Sequence, residues 1–158
     1  MANEAKMVFG SETTVISLAA ALASGANTYS FLSGCKMTEL HNSTALYPDA
    51  IAILSITDTF AAAPTAGGTI DLYMTLDDIS GTSDETPAPA SSDITYLAKY
   101  CGSWAIDNQD VAQLKPLMIS LKGAKKAQFY IANNSGQQIS YTSTATTVKI
   151  TPFTIGPT

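Results

Sequence analysis

Few side chains in this sequence can do acid–base, nucleophilic or metal chemistry, and their spacing limits what they can do. His41 is the sole histidine, so any Ser-His-Asp or Cys-His arrangement must pass through it. It lies in Glu39-Leu40-His41-Asn42-Ser43, with no strand-to-helix nucleophile elbow nearby. It reads as a loop histidine, and no catalytic residue is assigned. Cys35 and Cys101 sit far apart and neither has a C-x-x-C partner, so neither a zinc site nor a disulfide framework follows. Asp77, Asp78, Asp84, Glu85 and Asp93 offer the oxygen ligands calcium takes, but without the EF-hand spacing. They read as solvated loop carboxylates, and neither a metal nor a cofactor is expected. Glutamate occurs only at Glu4, Glu12, Glu39 and Glu85, all outside the clear strand patterns, so no rigid carboxylate pair for glycoside hydrolysis stands out. Ala66-Gly67-Gly68 lacks the spacing and lysine of a phosphate loop and is a turn. The expectation is a protein that is not an enzyme.

One set of aromatic residues could serve binding. Tyr96, Tyr100 and Trp104 share one parity and would form a sugar-binding platform if they were exposed on one strand face. Their alternation with Ile94 and Ile106 reads instead as ordinary core.

The elements that would carry these residues are strands. Short period-2 runs alternate with clusters of Gly, Pro, Asn, Asp and Ser, the pattern of an antiparallel sandwich or barrel. Ile70, Leu72, Met74 and Leu76 alternate with Thr69, Asp71, Tyr73 and Thr75, which predicts one face in the core and one in water. Residues 50–60 carry Ile51 and Ile53 at one parity and Leu54 and Ile56 at the other, so both faces look buried. The alternation over residues 94–106 is bent near Gly102, and Leu117, Ile119 and Leu121 continue the series. Phe129 and Ile131, the turn Asn133-Asn134-Ser135-Gly136, and Ile139 and Tyr141 signal a hairpin. The apolar phase then changes before Val148 and Ile150, which requires a bulge or turn within residues 143–147. Pro152 and Pro157 are read as ending the last strand. Only residues 15–23 are alanine-rich enough for a helical turn or two, and Thr13, Thr14, Val15 and Ile16 pull its start toward strand. The Pro- and Ser-rich residues 77–93 read as a long exposed loop.

Composition narrows the class further. In a chain of 158 residues, 46% hydrophobic and 13% charged residues describe one folded domain with a real core. All eight basic residues are lysines and the net charge is −5, which argues against nucleic acid because arginine supplies the bidentate fork for phosphate and guanine. Residues 1–110 hold all 13 acids against 3 lysines, a balance of −10, whereas residues 111–158 hold 5 lysines and no acid, a balance of +5. Such asymmetry can steer like copies together. No basic region with a long apolar run opens the chain, and the longest apolar stretch, residues 15–23, is too short to span a bilayer. Secretion and membrane insertion are therefore not expected.

The stretch AAALASGANTYSFLS (residues 19–33), Asp49-Ala50-Ile51-Ala52-Ile53 and Gly68-Thr69-Ile70-Asp71-Leu72-Tyr73-Met74 resemble a class of small tailed-bacteriophage virion proteins. Gly102-Ser103-Trp104, residues 114–121, Ala127-Gln128-Phe129-Tyr130-Ile131 and Asn133-Asn134-Ser135-Gly136-Gln137 are similar to the same layout. The resemblance covers about two thirds of the chain and rests on strand and turn patterns. It implies a jelly-roll β-sandwich that decorates or cements a phage capsid, with the major capsid protein or another virion protein as partner. It also implies a virion location after assembly in the host cytoplasm. The alternative is a carbohydrate-binding or host-attachment module of a tail or fibre.

Residues 1–10 are read as an N-terminal arm ahead of a single sandwich domain over residues 11–158. Met7, Val8 and Phe9, an apolar triplet after a polar leader, are the expected partner-binding residues, and a ring-like homo-oligomer is expected, a trimer ahead of a dimer. Because assembly in a reducing cytosol leaves thiols unpaired, Cys35 and Cys101 are expected to label fully with an alkylating reagent under denaturing, non-reducing conditions. A mass spectrum showing no label would contradict this.

Overall fold

The computed structural model describes residues 5–18, 21–24, 29–30, 36–37, 47–58, 60, 62–77, 99–121, 126–139 and 146–157. These form ten strands: β1 (Ala5–Phe9), β2 (Thr13–Ser17), β3 (Tyr29–Ser30), β4 (Lys36–Met37), β5 (Asp49–Ile56), β6 (Thr69–Asp77), β7 (Lys99–Ala105), β8 (Gln113–Ser120), β9 (Lys126–Asn134) and β10 (Thr146–Pro157). The protein is an all-β sandwich of two antiparallel sheets. One has the order β1-β10-β5-β8, with β2 following β1 along the same edge of β10, and the other has the order β3-β9-β6-β7, with β4 beside β3 on β9.

The sequence selects this packing through parity. In β5 the even residues Ala50, Ala52, Leu54 and Ile56 are almost wholly buried, while Ile51 and Ile53 are half-buried. Register carries the inward phase across the sheet, setting Leu54 against Val148 and Ala52 against Ile150. From the opposite sheet come Ile70, Leu72 and Met74 of β6, Trp104 of β7, and Phe129 and Ile131 of β9, which join them in one apolar cluster. Full burial of a side chain of this class contributes about 1.5–3 kcal/mol relative to exposure, so the cluster is the main source of stability.

Two register shifts decide which side chains leave the core. Ile16 pairs with Val148 but Thr14 pairs with Lys149, so Val15 is an extra residue and the consecutive Val15 and Ile16 are both buried. In β7, Gly102 pairs with Leu72 and Tyr100 with Tyr73, leaving Cys101 as the bulged residue. Gly102 has φ +146°, and a Cβ there would lie 3.0 Å from Leu117 Cδ1, so glycine fits the bulge where a side chain would not. Cys101 keeps a thiol, whose S–H donates to the Lys99 carbonyl at 3.6 Å.

Several sequence expectations need correction. The bulge puts Trp104 inside and Tyr100 outside, so they share no face, and the bend read at Gly102 reverses the phase outright. Tyr96 lies outside the described residues. The outer phase of β6 does not all face water: Tyr73 and Thr75 are buried, and only Thr69 and Asp71 are half-exposed. Residues 13–17 form strand, and Leu22 joins a bridge to Ile139, so the described part of residues 15–23 holds no helical turn. β10 runs through Pro152. In a strand, the N and O of one residue point to the same edge, and the Pro152 carbonyl accepts from Gly10 N at 2.8 Å. The missing N–H therefore falls at the break between β1 and β2, where the one bond absent is the reciprocal bond to Gly10.

The turn after β9 is present, but among the described residues no return strand pairs with β9; Tyr141 lies outside them. β9 already pairs with β6 along one edge and with β3 and β4 along the other, so Ile139 bridges to Leu22 and Phe60 instead. Asn133 holds this exit. Its buried amide Nδ2 donates to Leu22 O at 2.9 Å and Gln137 O at 2.8 Å, and its Oδ1 accepts from Ser135 N at 3.1 Å and Ser135 Oγ at 2.7 Å. Asn133→Ala would strand the buried Ser135 N–H, whereas Leu22 O keeps its bond from Ile139 N and Gln137 O its bond from Ser135 Oγ. We expect it to lower unfolding stability by about 1–3 kcal/mol, the cost of one stranded buried group. Chemical denaturation checks this, and a change under 0.5 kcal/mol would remove Asn133 from its structural role.

Candidate functional site

Among the described residues no three His, Cys, Asp or Glu side chains gather as a metal site would require. His41, Cys35 and the acidic residues from Asp78 to Asp93 lie outside the described residues, and Asp77 ends β6. No described helix is long and apolar enough to cross a membrane. What the described residues do assemble is an apolar surface.

That surface is the outer face of the first sheet. Register places Leu114, Pro116 and Met118 of β8 opposite Ser55, Ile53 and Ile51 of β5, all on the side away from the core. The same phase continues through Lys149, Thr151 and Phe153 of β10. It reaches β1 at Phe9, which pairs with Phe153, and Met7, which pairs with Ile155. Leu114 and Met118 are each 68% exposed, Ile155 is 66% and Phe9 is 51%. Isolated exposed apolar residues are ordinary, whereas a row of them crossing a sheet marks an interaction site.

The geometry at the β1 end is unusual for a sheet. β5 stops pairing with β10 at Asp49–Phe153, yet β10 continues to Pro157 with β1 as its sole partner there among the described residues. The last four residues of β10 and their partners in β1 thus form a two-stranded ribbon. Such a ribbon is marginal in water without a further layer. Phe9 and the buried Phe153 make a tilted ring contact at the ribbon's base, with centroids 6.0 Å apart and an interplanar angle of 50°.

The three residues singled out in the sequence therefore have different places. Met7 and Phe9 lie on the outer face with Ile155, whereas Val8 pairs with Thr154 and points to the ribbon's other side. All three are exposed. The segment read as an arm is a strand of its own sheet over Ala5–Phe9. Sequence reasoning missed Leu114, Met118 and Ile155. Their signal was apolar residues on both parities, since Leu114 and Met118 alternate against the inward Leu117, Ile119 and Leu121.

The charges around this face are partly matched within one chain. Lys149 pairs with Glu12 at 2.8 Å and Lys115 with Asp107 at 2.8 Å. Each joins the lysine-bearing end of the sequence to its acidic portion. Exposed pairs of this kind contribute roughly 0–1 kcal/mol, and of the two lysines Lys149 lies on the outer phase while Lys115 lies on the other phase of β8.

No protein-family model matches the chain, and no curated protein is similar enough to count as a relative.

A side chain kept for contact with another molecule should be dispensable to folding. Met118→Lys and Leu114→Lys are expected to change unfolding stability by no more than about 0.5 kcal/mol, the range of surface substitutions, while the β-sheet circular dichroism is kept. A loss of 2 kcal/mol or more in either would show that the face is structural.

Proposed function

We propose that the chain is a structural virion protein that docks the outer face of its first sheet on an assembled phage head and reinforces it. The observation that carries this reading is a pair of exposed apolar groups on one outer sheet face, Leu114 and Met118 at one edge and Phe9, Met7 and Ile155 at the other, with half-buried Ile51 and Ile53 and buried Phe153 between them. A sandwich already has one buried core. A second apolar sheet face serves a partner, and its mixture of two aliphatic edges with a central lysine and threonines suits a protein surface better than a lipid one. The reading assigns no reaction to the chain.

The strand order supports a jelly-roll wind. With β1 and β2 counted as one strand and β3 and β4 as another, the first of eight pairs with the last, the second with the seventh, the third with the sixth and the fourth with the fifth. Nested pairing of this kind is what a long antiparallel ribbon produces when it rolls into two sheets, and the architecture recurs in capsid proteins. Many copies on a lattice would add avidity to individually weak contacts, whether each docks as a trimer or alone.

Particles of the encoding phage that lack this protein provide the test. Wild-type protein added to them should cosediment and raise their resistance to heat or chelation, and a Met118→Asp, Ile155→Asp double variant should bind on the order of tenfold more weakly, about 1.4 kcal/mol. The reading fails if wild-type protein does not pellet with particles, or if the folded double variant pellets equally well.

A further inference from the structure

On the opposite side of the sandwich, three strands bring together a polar strip that neither the core nor the docking face uses. Asp71 of β6 pairs in register with Ser103 of β7, on the outer phase of the second sheet. The Ser103 hydroxyl donates to Asp71 Oδ1 at 2.5 Å, and Asn134 Nδ2 of β9 donates to Asp71 Oδ2 at 2.8 Å. With its proton committed to Asp71, Ser103 Oγ accepts from the Tyr100 hydroxyl, also at 2.5 Å. Tyr100 is further fixed by an edge-on contact with Tyr73, at a centroid distance of 5.6 Å and an interplanar angle of 64°.

Tyr100 is thus held at both its ring and its hydroxyl, yet remains 60% exposed. Its outer-phase neighbours Tyr73 and Tyr130 are buried. A large aromatic held rigidly in water contributes little to folding, but it offers a prepaid stacking surface. At the other end of the strip, Asn134 also lines a cleft of about 290 Å³ with Ser24, Thr65, Ala66, Gly67 and Gly136. The cleft is shaped by two turns in close contact: Thr65 N donates to Ser135 O at 2.9 Å, and a Cβ on Gly136, which has φ +80°, would fall 2.0 Å from Thr65 Oγ1.

From this arrangement we infer that the strip is a binding site for a neutral oligosaccharide, with Tyr100 stacking on one sugar ring and Asp71, Asn134 and the cleft holding the next. The C–H face of a pyranose packs on an aromatic face, while its hydroxyls need acceptors and donors at the ring edge. Each Asp71 oxygen carries one hydrogen bond in the strip and has acceptor capacity left. Two interstrand steps of about 4.8 Å separate β7 from β9, so the strip is roughly 10 Å across, the reach of a short oligosaccharide. The carboxylate disfavours acidic sugars, and Lys99 pairs in register with Met74, so it belongs to the other phase of the strand. This inference does not rest on the docking reading, since the two surfaces lie on different sheets.

The test is titration of the full chain, isotopically labelled, with neutral trisaccharides of glucose, galactose, mannose and N-acetylglucosamine, followed by backbone amide shifts. At least one sugar should shift the amides of Tyr100, Ser103 and Gly67 in a saturable way without moving those of Met118 and Ile155. Tyr100→Ala and the near-isosteric Asp71→Asn should each weaken that binding on the order of tenfold or more. Tyr100→Phe, which keeps the ring, should bind more tightly than Tyr100→Ala. Should Tyr100→Ala fail to fold, Asp71→Asn decides the matter. The inference is overturned if none of the four sugars shifts these amides, or if Asp71→Asn binds as the wild type does.

Discussion

β10 is the constraint on which the first sheet depends. It is twelve residues long, whereas β5 has eight, and it must fill the centre of the sheet from Thr146 to Phe153 while still having four residues to place. The N-terminal segment solves this by running along the whole opposite edge in two pieces, with the break set where Pro152 has no N–H to give. A strand that outruns its neighbour cannot bury both faces. The exposed Met7, Phe9 and Ile155 therefore follow from a length mismatch between two strands and are not loose side chains on a tail.

The inward phase of β6 and β8 was legible because period-2 burial is a local property of each run, and Leu72 needs no knowledge of its partners to be placed; β5, apolar on both parities, left the side of Leu54 open until its register was known. The reversal between Tyr100 and Trp104 was not legible. Gly102 signals a bend, but whether a bulge holds one extra residue or none depends on the register with β6, which no local pattern states. The return of Ile139 was hidden for a similar reason. Asn133-Asn134-Ser135-Gly136 is a sound turn signal, but a turn becomes a hairpin only if the strand before it has a vacant edge, and β9 has none beside that turn. Pro152 misled because proline usually marks a strand end, and the exception depends on an edge created by residues far away in the chain. The docking face was half-visible: Met7 and Phe9 stood out as an apolar run, whereas Leu114, Met118 and Ile155 join them only through the pairing of β8, β5, β10 and β1.

An exposed apolar sheet face also invites uncontrolled association, and this sheet carries features that restrain it. Pro116 interrupts the donor pattern of the edge strand β8, and Lys149 stands among the threonines of the outer face. Proline on an edge strand is a device that natural sheets use against edge-to-edge pairing, whereas Lys149, on the central strand β10, breaks up the apolar face itself. The proline permits face-on contact, in which side chains meet side chains, and opposes strand addition. Charge on and beside this sheet is matched within the chain, Lys149 by Glu12 and Lys115 by Asp107.

The two outer faces of the sandwich are built on different principles. In the first sheet the outward phase is apolar at both edges, with Lys149 and Thr151 between them, and its exposed Leu114, Met118, Phe9 and Ile155 leave apolar area in water. In the second sheet the outward phase is a hydrogen-bonded series from Tyr100 through Ser103 and Asp71 to Asn134, satisfied in the isolated chain and fixed in place before any ligand arrives. Preorganisation of that kind favours a small ligand, which has little surface with which to offset the ordering of its site. Because the sheets lie back to back, a copy docked through the first face would turn the second away from its support. The packing that gathers Leu54 and Leu72 in one core therefore separates the two outer faces, and neither can be altered through the other without disturbing the core between them.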